Sequence, residues 1–238
     1  MSRQRYDAIF FDMGHTLAWF NPKVEEIARQ ALSDAGADFA VEEVRAAIRS
    51  VYRVEDQDGA TRRFPATPEY DAEMEERRNR ELLRILGVEG DEIYHKYIAR
   101  ATEIYRAPGT LRLYDDVLPA LDRLRDAGYR LGIISNWSWN LRERVRQVGL
   151  QDYFEVVMAS AYAGCQKPNP DIFHQALAQM GTTAERSVHV GDFYEADVLG
   201  ARAAGMEPIL LDRKGKTESP DCAFASDMWG VLAHLGEA

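Results

Sequence analysis

An aspartate at the end of an apolar run is the first group in this chain that could do chemistry. The stretch FFDMGHTL, residues 10–17, places Asp12 where a strand should stop and follows it with a turn that contains Gly14. A carboxylate in that position can serve as a nucleophile that forms a covalent intermediate. A second carboxylate two residues later would supply a general acid and base. Because that position is glycine, the pattern predicts a nucleophile without such a partner.

Further polar residues follow other predicted strands. The apolar runs YRLGIIS, EVVMAS and SVHVGD are followed by Ser135 with Asn136, by Lys167, and by Asp192 with Asp197 five residues later. In an open parallel sheet, ligands bind beyond the carboxyl ends of the strands, where the strand order reverses. We therefore expect these side chains and Asp12 to meet at one rim.

The residue types at this rim indicate an anion held beside a cation. Carboxylates that crowd together repel one another unless a divalent cation lies among them, and oxygen ligands suit Mg²⁺, which also shares ligands with phosphate. Lys167 and the Ser135 hydroxyl can hold phosphoryl oxygens, and the backbone amides of Met13 and Gly14 can add to them. The pattern predicts a small phosphorylated substrate, with Asp12 attacking phosphorus to give an aspartyl-phosphate that water later hydrolyses.

Strands and helices alternate from Gly109 onward. Amphipathic segments that end in glycine separate the apolar runs, and a further run, EPILLD, follows SVHVGD. This alternation predicts an α/β fold with a doubly wound, mostly parallel sheet, to which YDAIFFD adds a strand.

Residues 21–108 break this rhythm, because four helical patterns follow one another with no strand between them. We therefore predict a Rossmann-like core formed by residues 1–20 and 109–238, with an all-helical cap of residues 21–108 inserted after the first strand.

Composition limits the classes of function. The chain has 238 residues, 46% of them hydrophobic, and a net charge of −10, which argues against nucleic-acid binding and against adhesion to an anionic membrane. Its two cysteines, Cys165 and Cys222, have no metal-binding spacing and favour a reduced, cytoplasmic compartment. The sequence leaves a monomer and a homodimer open.

Four segments together resemble the motifs of the haloacid dehalogenase-like hydrolase superfamily. FDMGHTL matches its first motif, IISN its second, QKPNPDIF its third and VGDFYEAD its fourth, in the right order. The helical insertion resembles the cap of subfamily I. SNWSWN, KPNPDIF and GDFYEADVLGARAAGM also resemble the branch of haloacid dehalogenase-like hydrolase domain-containing protein 3.

The resemblance assigns a role to each matching residue. It implies that Asp12 is the nucleophile and a magnesium ligand, that Ser135 binds phosphate and that Lys167 neutralises the aspartate and the phosphoryl group. Asp192 would be a metal ligand, and Asp197 would support the metal, through water if not directly.

Gly14 departs from the family pattern. Its backbone carbonyl can still bind the metal, but it cannot protonate a leaving group, and such a loss typically costs ~10²–10⁴ in rate. Three explanations stay open: a phosphatase that uses good leaving groups or another proton donor such as His15, a dehalogenase or phosphonatase, and a weakly catalytic protein kept for binding or regulation. The resemblance favours the phosphatase, because metal-free dehalogenases lack the Asp192 motif. Phosphonatases would need a Schiff-base lysine, and Lys23 and Lys96, the lysines of the cap, have no convincing context.

Several other residues have a structural and a functional interpretation. Asn136 and Trp137 follow the predicted phosphate-binding serine, so both are candidates for substrate contact, although Trp137 could equally pack cap against core. His15 could simply fill the turn. His189 lies inside an apolar strand, where a hydrogen-bonded core histidine is the expected interpretation.

Overall fold

A six-stranded parallel sheet forms the centre of the protein in a computed structural model that describes residues 5–56, 62–215, 217 and 221–237. The strand order is β5-β4-β1-β6-β7-β8, and β2 pairs with β3 in a separate two-stranded sheet. The strands are β1 Ala8–Phe11, β2 Ala18–Phe20, β3 Leu111–Leu113, β4 Arg130–Ser135, β5 Val156–Ala159, β6 Ser187–Gly191, β7 Glu207–Leu211 and β8 Ala223–Ala225. The predicted α/β fold with a parallel sheet is confirmed.

The central strands are buried beneath the helices, and their sequences are mostly apolar. Every residue of β1 and of β6 is buried, as expected for parallel strands that face no solvent. The helices that follow β3 in the chain are α5 Val117–Asp126, α6 Leu141–Gln147, α7 Ser160–Ala163, α8 Pro170–Met180, α9 Gly200–Ala203 and α10 Met228–Leu235, with a π-helical turn at Tyr194–Leu199. The signals for α8 are local: Asn169 caps its start, Pro170 opens it, and Gly181 ends it with φ 66°.

The register of the sheet brings the predicted strand-end residues to one edge. Phe11 of β1 lies opposite Ile133 of β4 on one side and Val190 of β6 on the other. Asp12 therefore leaves β1 at the level where β4 and β6 end. Because all three strands run parallel, their carboxyl ends form a single rim.

The chain divides into two compact units. The sheet unit comprises Met1–Trp19, Gly59–Thr67 and Leu113–Ala238, and the helical unit comprises Phe20–Asp58 and Pro68–Arg112. The predicted domain boundaries near residues 20 and 109 stay a prediction. One feature is absent from the sequence interpretation: the backbone N–H of Phe64 donates to Gly164 O at 2.8 Å, so part of the insertion pairs with the sheet unit.

The helical unit has a core of its own. Its helices are α1 Val24–Asp34, α2 Val41–Asp56, α3 Pro68–Ile85 and α4 Asp91–Arg106, so the predicted helical insertion is confirmed over the helices that the structure describes. Leu32, Val44, Leu83 and Tyr97 are among the buried side chains that pack together there. Within the described part of the chain, no helix combines the length and the apolar character that crossing a membrane would require.

Candidate active site

Asp12 lies at the carboxyl end of β1 and is held by two donors from other strand ends. Ser135 Oγ donates to Asp12 Oδ1 at 2.9 Å, and Lys167 Nζ donates to the same oxygen at 2.6 Å. All three side chains are buried. The structure thus brings together the three residues that the sequence assigned to catalysis, although Ser135 and Lys167 each lie more than 100 residues from Asp12 in the chain.

The Lys167 ammonium has three hydrogen-bond acceptors, which matches its three donors. Besides Asp12 it reaches Ile134 O at 2.9 Å and Asp197 Oδ1 at 2.6 Å. Burial alone would lower the pKa of Lys167, but the fields of the two carboxylates outweigh burial and keep its pKa above the ordinary value. Lys167 is therefore a fixed positive charge that joins Asp12 to Asp197.

Asp197 is placed by the π-helical turn after β6. Its Oδ2 accepts the backbone N–H of Phe193 at 3.0 Å, while its Oδ1 accepts from Lys167 and lies 2.9 Å from His189 Nε2. Burial opposes ionisation of Asp197, but the Lys167 ammonium and the His189 N–H hold its pKa below the ordinary range. Gly191 makes room for this carboxylate, because a Cβ on Gly191 would lie 2.1 Å from Asp197 Cγ.

Asp192 faces the same rim in a different electrostatic state. Burial, followed by the negative charges of Asp12 and Asp197, raises the pKa of Asp192 to about 7. None of the hydrogen bonds among the described residues ends on its carboxylate. The positive charges of Lys167 and Lys214 act in the opposite direction but offset only part of this cost, so a cation beside Asp192 would favour its ionised form.

The donor set around Asp192 fits a hard cation that retains water. The predicted ligands are the carboxylates of Asp12 and Asp192 and the carbonyl of Gly14, all oxygens, as Mg²⁺ prefers. Within the described ranges, His, Cys, Asp and Glu side chains form no group of three that could hold a metal. Asp197 is engaged with Lys167. Two carboxylates and a backbone carbonyl suit magnesium, which is seldom enclosed by protein ligands alone.

The loop after Asp12 is closed by backbone hydrogen bonds. Met13 O accepts from the N–H groups of Leu17 at 3.1 Å and Ala18 at 2.9 Å, and the His15 N–H donates to Ala18 O at 2.7 Å. The N–H groups of Met13 and Gly14 donate to no backbone carbonyl of the described residues. These two amides have no backbone acceptor among the described residues, and their contact with an anion stays a prediction.

The space around Gly14 would admit a side chain. A Cβ added there would lie 3.6 Å from Trp137 Cζ3 and 4.0 Å from Asp12 Oδ2, both ordinary contacts, and Gly14 does not have a positive φ. His15 does, with φ 57°, a conformation that costs a non-glycine residue energy. The glycine is thus at the position that could carry a side chain, and the histidine is at the position that favours glycine.

Asn136 and Trp137 brace loops at the rim. The Asn136 amide accepts the backbone N–H of Lys167 at 2.7 Å and donates to Lys167 O at 2.9 Å, which ties the β4 loop to the lysine loop. The half-buried Trp137 donates from Nε1 to Asn140 Oδ1 at 2.9 Å, with its ring beside Gly14. Substrate contact by either residue stays a prediction.

An arginine that the sequence interpretation missed supports the nucleophile loop. Arg213 Nε donates to Thr16 O at 3.1 Å, and its two terminal nitrogens bind Asp116 at 2.9 Å each. Its guanidinium also lies 3.9 Å from the ring centre of Tyr114. Arg213 follows the end of β7, so the strand-end rule applied to EPILLD could have found it.

The fold and the site define an α/β enzyme with a carboxylate as its candidate nucleophile. The family model described as "Hydrolase: haloacid dehalogenase-like hydrolase" matches residues 6–205, and the chain belongs to this family of hydrolases.

Three similar proteins illustrate the range of the family. The chain is 30% identical over 217 residues to glyceraldehyde 3-phosphate phosphatase of Methanopyrus kandleri. The match covers 88% of this chain and 84% of that protein. It is 34% identical over 114 residues to haloacid dehalogenase-like hydrolase domain-containing protein 3 of Bos taurus. That match covers 47% of this chain and 45% of the Bos taurus protein. The crystal structure of a 2-haloacid dehalogenase from Pseudomonas syringae matches with a TM-score of 0.68 at 26% identity, over 97% of both chains.

Proposed function

We propose that this protein is a magnesium-dependent phosphatase that hydrolyses a small phosphorylated metabolite through an aspartyl-phosphate. The observation that carries the proposal is the state of Asp12. Its Oδ1 is held by Ser135 and Lys167, whereas its Oδ2 lies on the side of Gly14 and accepts none of the side-chain hydrogen bonds identified among the described residues. One oxygen is thus fixed and the other is available to attack phosphorus.

The chain's own residues account for most of the first step. The N–H groups of Met13 and Gly14 would hold phosphoryl oxygens, and the Ser135 hydroxyl would turn from Asp12 Oδ1 to a phosphoryl oxygen when substrate binds. Asp12 then attacks phosphorus, and the ester oxygen leaves and takes its proton from water. Lys167 places a positive charge against Asp12 and offsets the charge that gathers on the phosphoryl group. Water then cleaves the acyl-phosphate and restores the carboxylate.

Magnesium, when bound, would neutralise phosphoryl charge as a Lewis acid. Asp12, Asp192 and the Gly14 carbonyl would hold it, and support from Asp197 would pass through water, because Lys167, His189 and the Phe193 N–H already engage the Asp197 oxygens. The raised pKa of Asp192 supports this assignment, since a nearby cation relieves the cost of its charge.

The similar proteins support phosphoryl chemistry on a small molecule. The relative that matches over most of both chains is named as a phosphatase of glyceraldehyde 3-phosphate. We propose a substrate of that general size, with the helical unit as the cap that excludes water and sets specificity. A cytoplasmic location and the boundaries of the cap stay predictions.

Two alternatives rest on specific observations. Gly14 removes the acid that would protonate a leaving group, which favours a weakly catalytic protein that binds phosphate esters. The likeness to a 2-haloacid dehalogenase allows attack of Asp12 on carbon rather than phosphorus. Asp192 weighs against dehalogenation. Its carboxylate has a raised pKa and accepts no hydrogen bond from the described residues, which suits a metal ligand, whereas halide displacement by Asp12 needs no such group.

The experiment compares the wild type with Asp12→Asn, Gly14→Asp and Gly14→Ala on aryl and alkyl phosphates, in magnesium and in EDTA. The proposal expects magnesium-dependent cleavage of the aryl ester, slower cleavage of the alkyl ester, and no activity in Asp12→Asn. Gly14→Asp should accelerate the alkyl ester by ~10²-fold or more, while Gly14→Ala, which adds the same Cβ without an acid, should not.

Absence of turnover in both the wild type and Gly14→Asp would refute a phosphatase. Tight binding of the esters without turnover would then support the binding protein, and halide release in EDTA would support the dehalogenase.

A further inference from the structure

His189 is a buried polar residue that the mechanism above does not use. It lies in the middle of β6, opposite Phe10 of β1 and Pro208 of β7, and is completely inaccessible to solvent. Phe173 of α8 packs edge-on against its ring, with the ring centres 5.1 Å apart. An apolar side chain would suit these surroundings better than an imidazole.

Asp197, from the π-helical turn that follows β6, packs against the face of β6 that carries His189. Side chains alternate along a strand, so His189 shares a face with Gly191, and the Asp197 carboxylate occupies the space above Gly191. This places His189 Nε2 at 2.9 Å from Asp197 Oδ1, the oxygen that also receives the Lys167 ammonium.

The hydrogen bonds of His189 define its tautomer. An ionised carboxylate only accepts, so Nε2 must carry a proton. A second proton on Nδ1 would be buried without an acceptor, and burial also lowers the pKa of His189. Nδ1 is then an unprotonated nitrogen, and no described residue is its hydrogen-bond partner. A buried ring with one unsatisfied nitrogen is unfavourable for stability, so the packing of the core does not account for a histidine here.

We propose that His189 is a positioning residue: its Nε2–H fixes the Asp197 carboxylate, which in turn holds Lys167 against Asp12. The proposal rests on the proposed function for its catalytic consequence. Without the histidine, Asp197 Oδ1 would keep Lys167 as its sole side-chain donor. The Phe193 N–H would still hold Oδ2, but Oδ1 would have lost one of its two side-chain donors and would fix the ammonium beside the nucleophile less firmly.

The first test compares His189→Leu, His189→Gln and the control Val188→Ala. Val188 is buried, and as the strand neighbour of His189 it lies on the opposite face of β6. We expect His189→Leu to lower kcat about 10- to 100-fold, the range for a partner that orients a site residue, with KM changed less than about threefold. His189→Gln keeps an N–H donor on a side chain of similar reach and should recover at least half of that loss on a logarithmic scale.

Val188→Ala should lower the unfolding temperature without changing kcat. A His189→Leu enzyme with kcat within about threefold of the wild type would overturn the proposal. If His189→Leu does not fold, a His189→Gln enzyme that is as impaired as a Lys167 variant would overturn it as well.

The second test does not depend on activity. In ¹⁵N NMR spectra of the wild type, the His189 signals, assigned by their absence from His189→Gln, should show a protonated Nε2 and a bare Nδ1. The buried Lys167 ammonium should give a slowly exchanging signal that His189→Leu broadens or shifts and that His189→Gln and Val188→Ala preserve.

An Nδ1–H tautomer, or a Lys167 signal unchanged in His189→Leu, would overturn the positioning role. If the wild type hydrolyses no phosphate ester, the proposed function fails, and these spectra still decide the role of His189.

Discussion

Replacing Asp192 with asparagine should stabilise the metal-free protein at alkaline pH. In the folded state the pKa of Asp192 is about 7, against an ordinary value of 3.8, so the folded protein retains a proton that the unfolded chain has lost. Stability therefore falls as the pH rises between about 4 and 7 and stays low above that range. Asparagine has a similar shape and no charge, so it removes this cost.

The magnitude follows from the size of the shift. A difference of about 3 pKa units corresponds to at most about 4 kcal/mol at 1.36 kcal/mol per unit, and partial exposure of the side chain reduces it. We expect Asp192→Asn to raise the free energy of unfolding by about 1–3 kcal/mol in EDTA at pH 8, and by less than half of that at pH 5.

The assay is urea unfolding in EDTA at the two pH values, repeated at pH 8 with magnesium. Magnesium should stabilise the wild type, because it binds the folded state, and should have little effect on Asp192→Asn. Asp126→Asn, the same change at an exposed residue at the end of α5, serves as the control and should have no effect in any condition. If Asp192→Asn lowered stability in EDTA equally at both pH values, Asp192 would not lie in the crowded negative environment described above.

Three other variants probe the remaining site. Lys167→Met should lower the free energy of unfolding by about 3–5 kcal/mol in urea denaturation, because it leaves the buried Asp12 and Asp197 without their shared positive charge. A loss below about 1 kcal/mol would contradict that pairing. His15→Gly should raise the unfolding temperature slightly, by relief of a positive φ worth about 1 kcal/mol, and an unchanged kcat would assign His15 to the turn rather than to proton transfer. Gly191→Ala should lower both kcat and the free energy of unfolding, because the added Cβ would displace the Asp197 carboxylate. Wild-type kinetics in a folded Gly191→Ala protein would show that catalysis does not need the observed position of this carboxylate.

Much of the site was accessible from sequence because it obeys a local rule. Strands of a parallel sheet end at the same edge, so the polar residue after each apolar run marks the rim, and Asp12, Ser135 and Asp192 were found in this way. The same rule predicts where each polar residue lies on the rim, but it does not predict which other side chain that residue contacts. That His189 donates to Asp197 depends on which side chains share a face of β6, and the hydrophobic pattern alone favoured an inert core residue.

Other features were beyond sequence reasoning because they depend on contacts distant in the chain. The Asn136 amide looks like a ligand-binding group in the sequence, yet it is occupied by the backbone of a loop 31 residues away. The pairing of Phe64 with Gly164 joins segments 100 residues apart, and the prolines around Phe64 indicate only a break between helices. Helical periodicity identified α2 and α3 without indicating where the chain between them goes.

That pairing has a consequence for anyone who wishes to exchange the helical unit. The unit is encoded in two stretches of sequence, and residues 62–67 between them belong to the sheet unit. Deleting residues 21–108 as one block would also remove the strand-like partner of Gly164, three residues before Lys167. A chimera would have to transplant two fragments and keep the short segment between them in place. The helical unit is thus one compact body that two separate stretches of sequence encode.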